Sequence, residues 1–171
     1  MNASGAAPRG PAPRRRRVLL GWSIVGLILL LALARTQFRL VLVKGRSMEP
    51  TLTQGTVLLV HTRAYEPSPP ARGDVVVARF RDEFIIKRVV GLPGETIDAR
   101  NGRVHVDGRP LPEDTYTVSP GNLEIRNGRL IEGSFALLGD NRSLPSTVLV
   151  HAVVPRDQII GKVVGSFRSP F

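Results

Sequence analysis

Two residues forty positions apart, Ser47 and Lys87, have the types and settings for covalent chemistry. Ser47 lies in "KGRSMEPTLTQGTVLLV" (44–60), between a basic flank and a Met-Glu-Pro turn. Serine is a default turn residue, so a purely local role accounts for it. A turn also presents a hydroxyl outward, and the backbone N–H groups around Gly45–Ser47 can point at a developing oxyanion. The missing Cβ at Gly45 would let a substrate backbone approach closely. Glu49 is next but one along the chain, and nothing in the spacing gives it a role.

Lys87 lies in "EFIIKRVVG" (83–91), where alternation puts Ile85, Lys87 and Val89 on one face of a strand. If that face is buried, desolvation disfavours the ammonium, and a neutral amine can serve as a general base near pH 7. If the strand is an edge strand, a solvated lysine is the ordinary occupant. Composition leaves both readings open.

Other chemistries find little support. The sequence has no cysteine, which excludes a thiolate nucleophile, a disulfide scaffold and a Cys-ligated metal. Its histidines are His61, His105 and His151, the last two in β-type runs that suit structural roles. No H-E-x-x-H or comparable ligand spacing occurs, so neither a metal nor another cofactor is expected. Nothing nominates a Ser-His-Asp triad.

The elements that would position Ser47 and Lys87 read as short strands. "TVLLV" (56–60), "DVVVARF" (74–80) and "FIIKRVV" (84–90) are β-type runs, with further strands expected near 123–126, 134–138 and 159–167. Asn101-Gly102 and Asp107-Gly108 bracket the Val104/Val106 alternation and predict two tight hairpins. "YEPSPPARG" (65–73) is a loop. The expected fold class is all-β, an antiparallel, barrel-like sheet domain over 36–171 tethered by one N-terminal transmembrane helix. "FRLVLV" (38–43) suits either a first strand or a segment lying along a lipid surface.

That helix is expected at 18–35. Residues 18–34, "VLLGWSIVGLILLLALA", carry no charge and at 1.5 Å per residue span about 26 Å, near the ~30 Å of a bilayer core. Arg9 and Arg14–Arg17 precede the run, which places residues 1–17, a disordered basic tail, on the cytoplasmic side. The β domain then lies on the outer face of the plasma membrane. The rival is a cleavable signal, since Ala32-Leu33-Ala34 matches an A-x-A site. The run is longer than the usual h-region, however, and Arg35 follows directly.

The formal charge of +10 is unevenly placed. Residues 1–44 hold eight Lys/Arg and no acid, whereas from Gly45 onward sixteen basic residues face fourteen acidic ones. A nucleic-acid binder keeps its basic surface on the folded domain, so no nucleic-acid partner is expected.

Taken together, the segments resemble bacterial type I signal peptidases. "GRSMEPTL" (45–52) is similar to the family's nucleophile box, "RGDVVVARF" (72–80) to its next strand box and "IIKRVVGLPGE" (85–95) to its general-base box. "LGDNRS" (138–143) opens like the last one. The resemblance covers nearly everything from Val43 to Val164. It implies a Ser/Lys dyad, with Ser47 as nucleophile, Lys87 as general base and preprotein signal peptides as substrates, cleaved after small A-x-A residues at the lipid bilayer. Gly45 and the Ser47 backbone fall in the oxyanion region. Met48, Arg88, Asp140 and Arg142 match positions that hold the site together.

The resemblance breaks after Arg142. In "GDNRSLPSTVLVHAVVP" (139–155) an ungapped reading puts the family's Ser, Asp and Arg on Pro145, Thr147 and Leu149. The hydroxyl that steadies the lysine would then come from Ser143 or Ser146 in a displaced loop. Two alternatives accompany the peptidase reading. A LexA-type self-cleaving repressor shares the chemistry, but such proteins are soluble and bind DNA. A divergent, weakly active or inactive β domain binding export substrates or membrane partners would fit the altered last box. The oligomeric state is open.

Overall fold

The structure, a computed structural model, describes residues 13–130, 132–144 and 151–167, with the side chains at 13–18, 20, 34, 127 and 151 outside the description. It divides into two units, 1–37 and 38–171. The first contains helix α1, Pro13–Gln37. Two of its side chains turn back on the helix itself: Ser23 Oγ donates to the Leu19 carbonyl and Thr36 Oγ1 to that of Leu33. Among the described residues no helix is long and apolar enough to cross a membrane. The helix ends at Gln37 and the first strand starts at Phe38, two residues later than the expected boundary.

Among its described residues the second unit consists of strands and loops apart from one 3-10 turn at Arg156–Gln158. Its strands are β1 (Phe38–Leu42), β2 (Val57–His61), β3 (Val75–Phe80), β4 (Glu83–Gly91), β5 (Thr96–Arg100), β6 (Arg103–Val106), β7 (Arg109–Pro110), β8 (Ile125–Arg129), β9 (Ser134–Leu138), β10 (His151–Pro155) and β11 (Ile159–Phe167). Seven form one antiparallel sheet in the order β1-β2-β11-β3-β4-β9-β10, and four form a second, β7-β6-β5-β8. The segment 38–43 is therefore a strand over Phe38–Leu42, paired along its length with β2. The strand expected near 123–126 begins at Ile125, and the β-type run at His151 forms β10.

The turn chemistry forms as the residue types dictate. Asn101 and Gly102 both take positive φ (51° and 75°) between the paired Arg100 and Arg103. Asp107 and Gly108 repeat this (49° and 76°) between Val106 and Arg109. Two consecutive left-handed residues match the twist of the flanking strands, which is why these pairs make two-residue hairpins.

Three apolar clusters hold the domain. One, with Val76, Ile85, Val89, Phe135 and Val154, packs on strands of the large sheet. A second, with Val90, Ile97, Val104 and Leu138, joins β4 and β9 to the small sheet. The third, with Val43, Met48, Leu58, Val60 and Val77, lies beneath the turn that carries Ser47. Strand β4 contributes to all three, because Ile86 packs against the third. Cover on both faces explains why its sequence is a near-continuous apolar run rather than a strict alternation.

Candidate active site

Lys87 sits midway along β4, between β3 and β9, opposite Val76. An edge-strand lysine is excluded by that position, and the side chain is only 3% exposed. Ser47 lies in the turn between β1 and β2. Met48 is its buried anchor, 1% exposed within the third cluster, and the Leu52 N–H donates to the Met48 carbonyl. Pinning the neighbour in the core leaves Ser47 half-buried with its hydroxyl toward the lysine. The Lys87 Nζ–Ser47 Oγ distance is 2.5 Å. Burial lowers the Lys87 pKa from 10.5 to about 8, and the charge of Asp140 pulls part of the way back.

The Ser47 turn is also fixed from behind. The Asn141 N–H donates to the Ser47 carbonyl (3.0 Å), and Asn141 Nδ2 to that of Arg46 (3.2 Å). Gly139 lets these segments close, since a Cβ there would collide with the Ser47 carbonyl oxygen and approach Ser47 Cβ to 3.3 Å. Gly139→Ala should therefore displace the Ser47 turn from Lys87; a reaction that needs their approach is expected to slow tenfold or more while the circular-dichroism spectrum is retained, in line with the roughly 10²-fold cost of a 1 Å misplacement. An unaltered rate in the folded variant would refute this contact. Gly45 differs: a Cβ there would meet no atom within 4 Å, so the face beside Ser47 is open.

Behind Lys87 stands a buried ion pair. Arg88 Nε and Nη2 donate to the two carboxylate oxygens of Asp140 (2.9 and 2.6 Å), and Nη1 donates to the Gly73 carbonyl. Arg142, fully buried, donates from Nε to the Gly139 carbonyl and from Nη2 to Glu113. Ser143 is exposed and its Oγ donates to Asn141 Oδ1 at 2.6 Å, so it engages Asn141 rather than Lys87. Ser146, Pro145, Thr147 and Leu149 lie outside the described residues. Glu49 pairs with the exposed Arg46 across the turn, a surface contact worth little.

Sequence reasoning missed Asn141, Gly139 and the segment around Glu113 and Tyr116. The first two stand inside "LGDNRS", where their residue types were visible but their contact with the Ser47 turn was not. Among the described residues no group of His, Cys, Asp or Glu could hold a metal ion.

A groove of about 830 Å³ runs from the Ser47–Lys87 pair between residues 40–48 and residues 83–87. It is lined by strand backbone and by apolar side chains such as Leu42, Val77 and Ile86, with charge at Lys44 and Glu83. A groove flanked by extended segments suits an extended peptide, which can add main-chain hydrogen bonds and seat alternate side chains.

Comparison with known proteins finds relatives along most of the chain. The family described as "Signal peptidase, peptidase S26" matches residues 16–167. A signal peptidase I of Leptolyngbya laminosa is 35% identical over 175 residues, covering 95% of this chain and 86% of its own. Signal peptidase IB of Staphylococcus aureus is 29% identical over 178 residues, covering 90% of each. A crystal structure of a signal peptidase I from Enterococcus faecalis, 23% identical, covers 57% of this chain and 98% of its own, with a TM-score of 0.46.

Proposed function

The chain belongs to the peptidase S26 family of signal peptidases, which makes it a serine endopeptidase, and we propose that it removes signal peptides from exported preproteins with a Ser47/Lys87 dyad. The observation that carries the reading is the 2.5 Å approach of a buried, low-pKa amine to a serine hydroxyl at the end of a peptide-sized groove.

In this mechanism neutral Lys87 Nζ takes the Ser47 Oγ proton as the oxygen bonds to the scissile carbonyl carbon. The Ser47 backbone N–H, with the open Gly45 beside it, faces the resulting oxyanion. Collapse breaks the C–N bond, the Lys87 ammonium gives its proton to the leaving amine, and the signal peptide stays esterified to Ser47. Water then attacks the ester while Lys87 again accepts a proton. The acid is released and the proton returns to Ser47. Cleavage is read as falling after small A-x-A residues, seated against branched side chains such as Val77 and Ile86.

The uncharged run 18–34, flanked by arginines, supports a single-pass anchor with residues 1–17 cytoplasmic and the β domain on the outer face of the plasma membrane. Purified protein in detergent should cleave a preprotein after its A-x-A site, and Ser47→Ala should abolish this. Wild-type rates in Ser47→Ala would end the dyad reading. The full chain should sediment with membranes and a chain starting at Thr36 should not; equal partitioning would end the anchor reading.

A further inference from the structure

The connection between β7 and β8 crosses behind the site. Thr51, four residues beyond the nucleophile, donates to the Thr117 carbonyl, and Ser119 forms a parallel bridge to Asn141. The Ser119 N–H donates to the Asp140 carbonyl (3.0 Å), and its carbonyl accepts from the Arg142 N–H (3.2 Å). The same segment carries two side chains that engage both buried arginines. The Tyr116 ring covers the Arg88 guanidinium, with Cζ 3.8 Å from the ring centroid. The Tyr116 hydroxyl donates to Glu113 Oε1 (2.9 Å), and the same oxygen accepts from Arg142 Nη2 (2.8 Å).

We propose that Glu113 and Tyr116 are positioning residues for the Ser47–Lys87 pair, a clamp from outside the catalytic boxes that holds Arg88 and Arg142 at once. The proposal rests on the dyad reading above and deepens it.

Each arm of the clamp ends beside one catalytic partner. Through Tyr116 it fixes the face of Arg88, which grips Asp140 in two places and follows Lys87 directly in the chain. Through Arg142 it fixes the Gly139 carbonyl, at the point where the chain closes on Ser47. Arg142 is fully buried, and Glu113 is the carboxylate that meets it. A buried guanidinium without a carboxylate carries a heavy desolvation cost, so this pairing fixes the loop as well as the charge. That carboxylate stands 29 residues before Arg142 in the chain. The two arginines then face two carboxylates, Asp140 and Glu113, and Lys87 sits beside a balanced set.

Glu113→Gln keeps an acceptor but removes the charge. With a synthetic peptide spanning an A-x-A site, kcat is expected to fall about tenfold with KM within twofold, the scale of a small misplacement. The two arginines would share one carboxylate, so the excess positive charge should also move the acidic limb of the kcat/KM profile to lower pH. Glu113→Asp should recover part of the rate. A folded Glu113→Gln enzyme with wild-type kcat and an unmoved limb would overturn the proposal, as would a change confined to thermal stability. If Glu113→Gln does not fold, Tyr116→Leu decides on kcat alone, since it frees the Arg88 face while leaving both carboxylates and the Glu113–Arg142 pair in place; a folded Tyr116→Leu enzyme with wild-type kcat overturns the proposal. Ser47→Ala is run alongside: residual cleavage there strikes the dyad itself, whereas a silent Ser47→Ala beside a wild-type Glu113→Gln strikes the clamp alone.

Discussion

Lys87→Met is expected to lower kcat/KM for a signal-peptide substrate roughly 10⁴-fold, with Ser47→Ala comparable and the double variant no slower than either. Groups that act as one unit are lost together, so additive effects would show that the two residues work separately. The pH profile gives the sharper check. General-base catalysis needs the neutral amine, so kcat/KM should rise with pH and level off above about 8. At pH 7 about one Lys87 in ten would be neutral, against about three in ten thousand at the ordinary value near 10.5, so burial raises the active fraction roughly 300-fold. A limb near 10 would mean that the lysine is not the base.

The same displacement makes a stability claim of known sign. The folded-state pKa is depressed, so between about pH 8 and 10.5 the unfolded chain binds more protons and stability rises with pH. Below pH 8 the burial cost is fully present, on the order of 3 kcal/mol. Lys87→Met removes it and should melt above the wild type at pH 7 while inactive, with the gap narrowing toward pH 10. The lost contact with Ser47 offsets part of the gain. A variant that melts lower at pH 7 would count against a strained lysine.

The difference between what the sequence discloses here and what it hides follows the range of the forces. β2, β3, β4 and β9 are legible because short apolar runs bounded by turn residues are a local signal, and the hairpins at 101–102 and 107–108 because φ > 0 is a single-residue property. Ser47 and Lys87 are legible through their boxes, yet whether Lys87 is buried depends on β9, fifty residues on, covering its strand. The Glu113–Arg142 and Tyr116–Arg88 contacts leave no local trace. "LPEDTYTVSPG" reads as an ordinary polar loop, and only the tertiary fold sets its acid against a buried guanidinium. Arg142 stands in a box the sequence singles out, whereas nothing near it in the chain points to Glu113 as its partner.

Asp140→Ala is expected to be the most destabilising single change around the site. Both members of the Arg88–Asp140 pair are buried, and the two-point geometry satisfies both carboxylate oxygens. Removing the acid leaves Arg88 with the Gly73 carbonyl and the Tyr116 ring, neither of which neutralises it. Breaking a buried pair by deleting one partner costs about 3–5 kcal/mol, enough to move a thermal midpoint by many degrees. Asp140→Asn keeps shape and one acceptor and should cost less, which makes it the better probe of chemistry. Asp140 is the charge that holds the Lys87 pKa up against burial, so without it desolvation acts alone and the limb of kcat/KM should fall below 8. More of the amine is then neutral at pH 7, but it is a weaker base, and the plateau rate should drop as the limb moves. An Asp140→Asn enzyme that is destabilised with its limb still near 8 would confine Asp140 to the scaffold. A limb that moves ties the pair to the proton transfer, because only a charge felt at Lys87 Nζ can shift it.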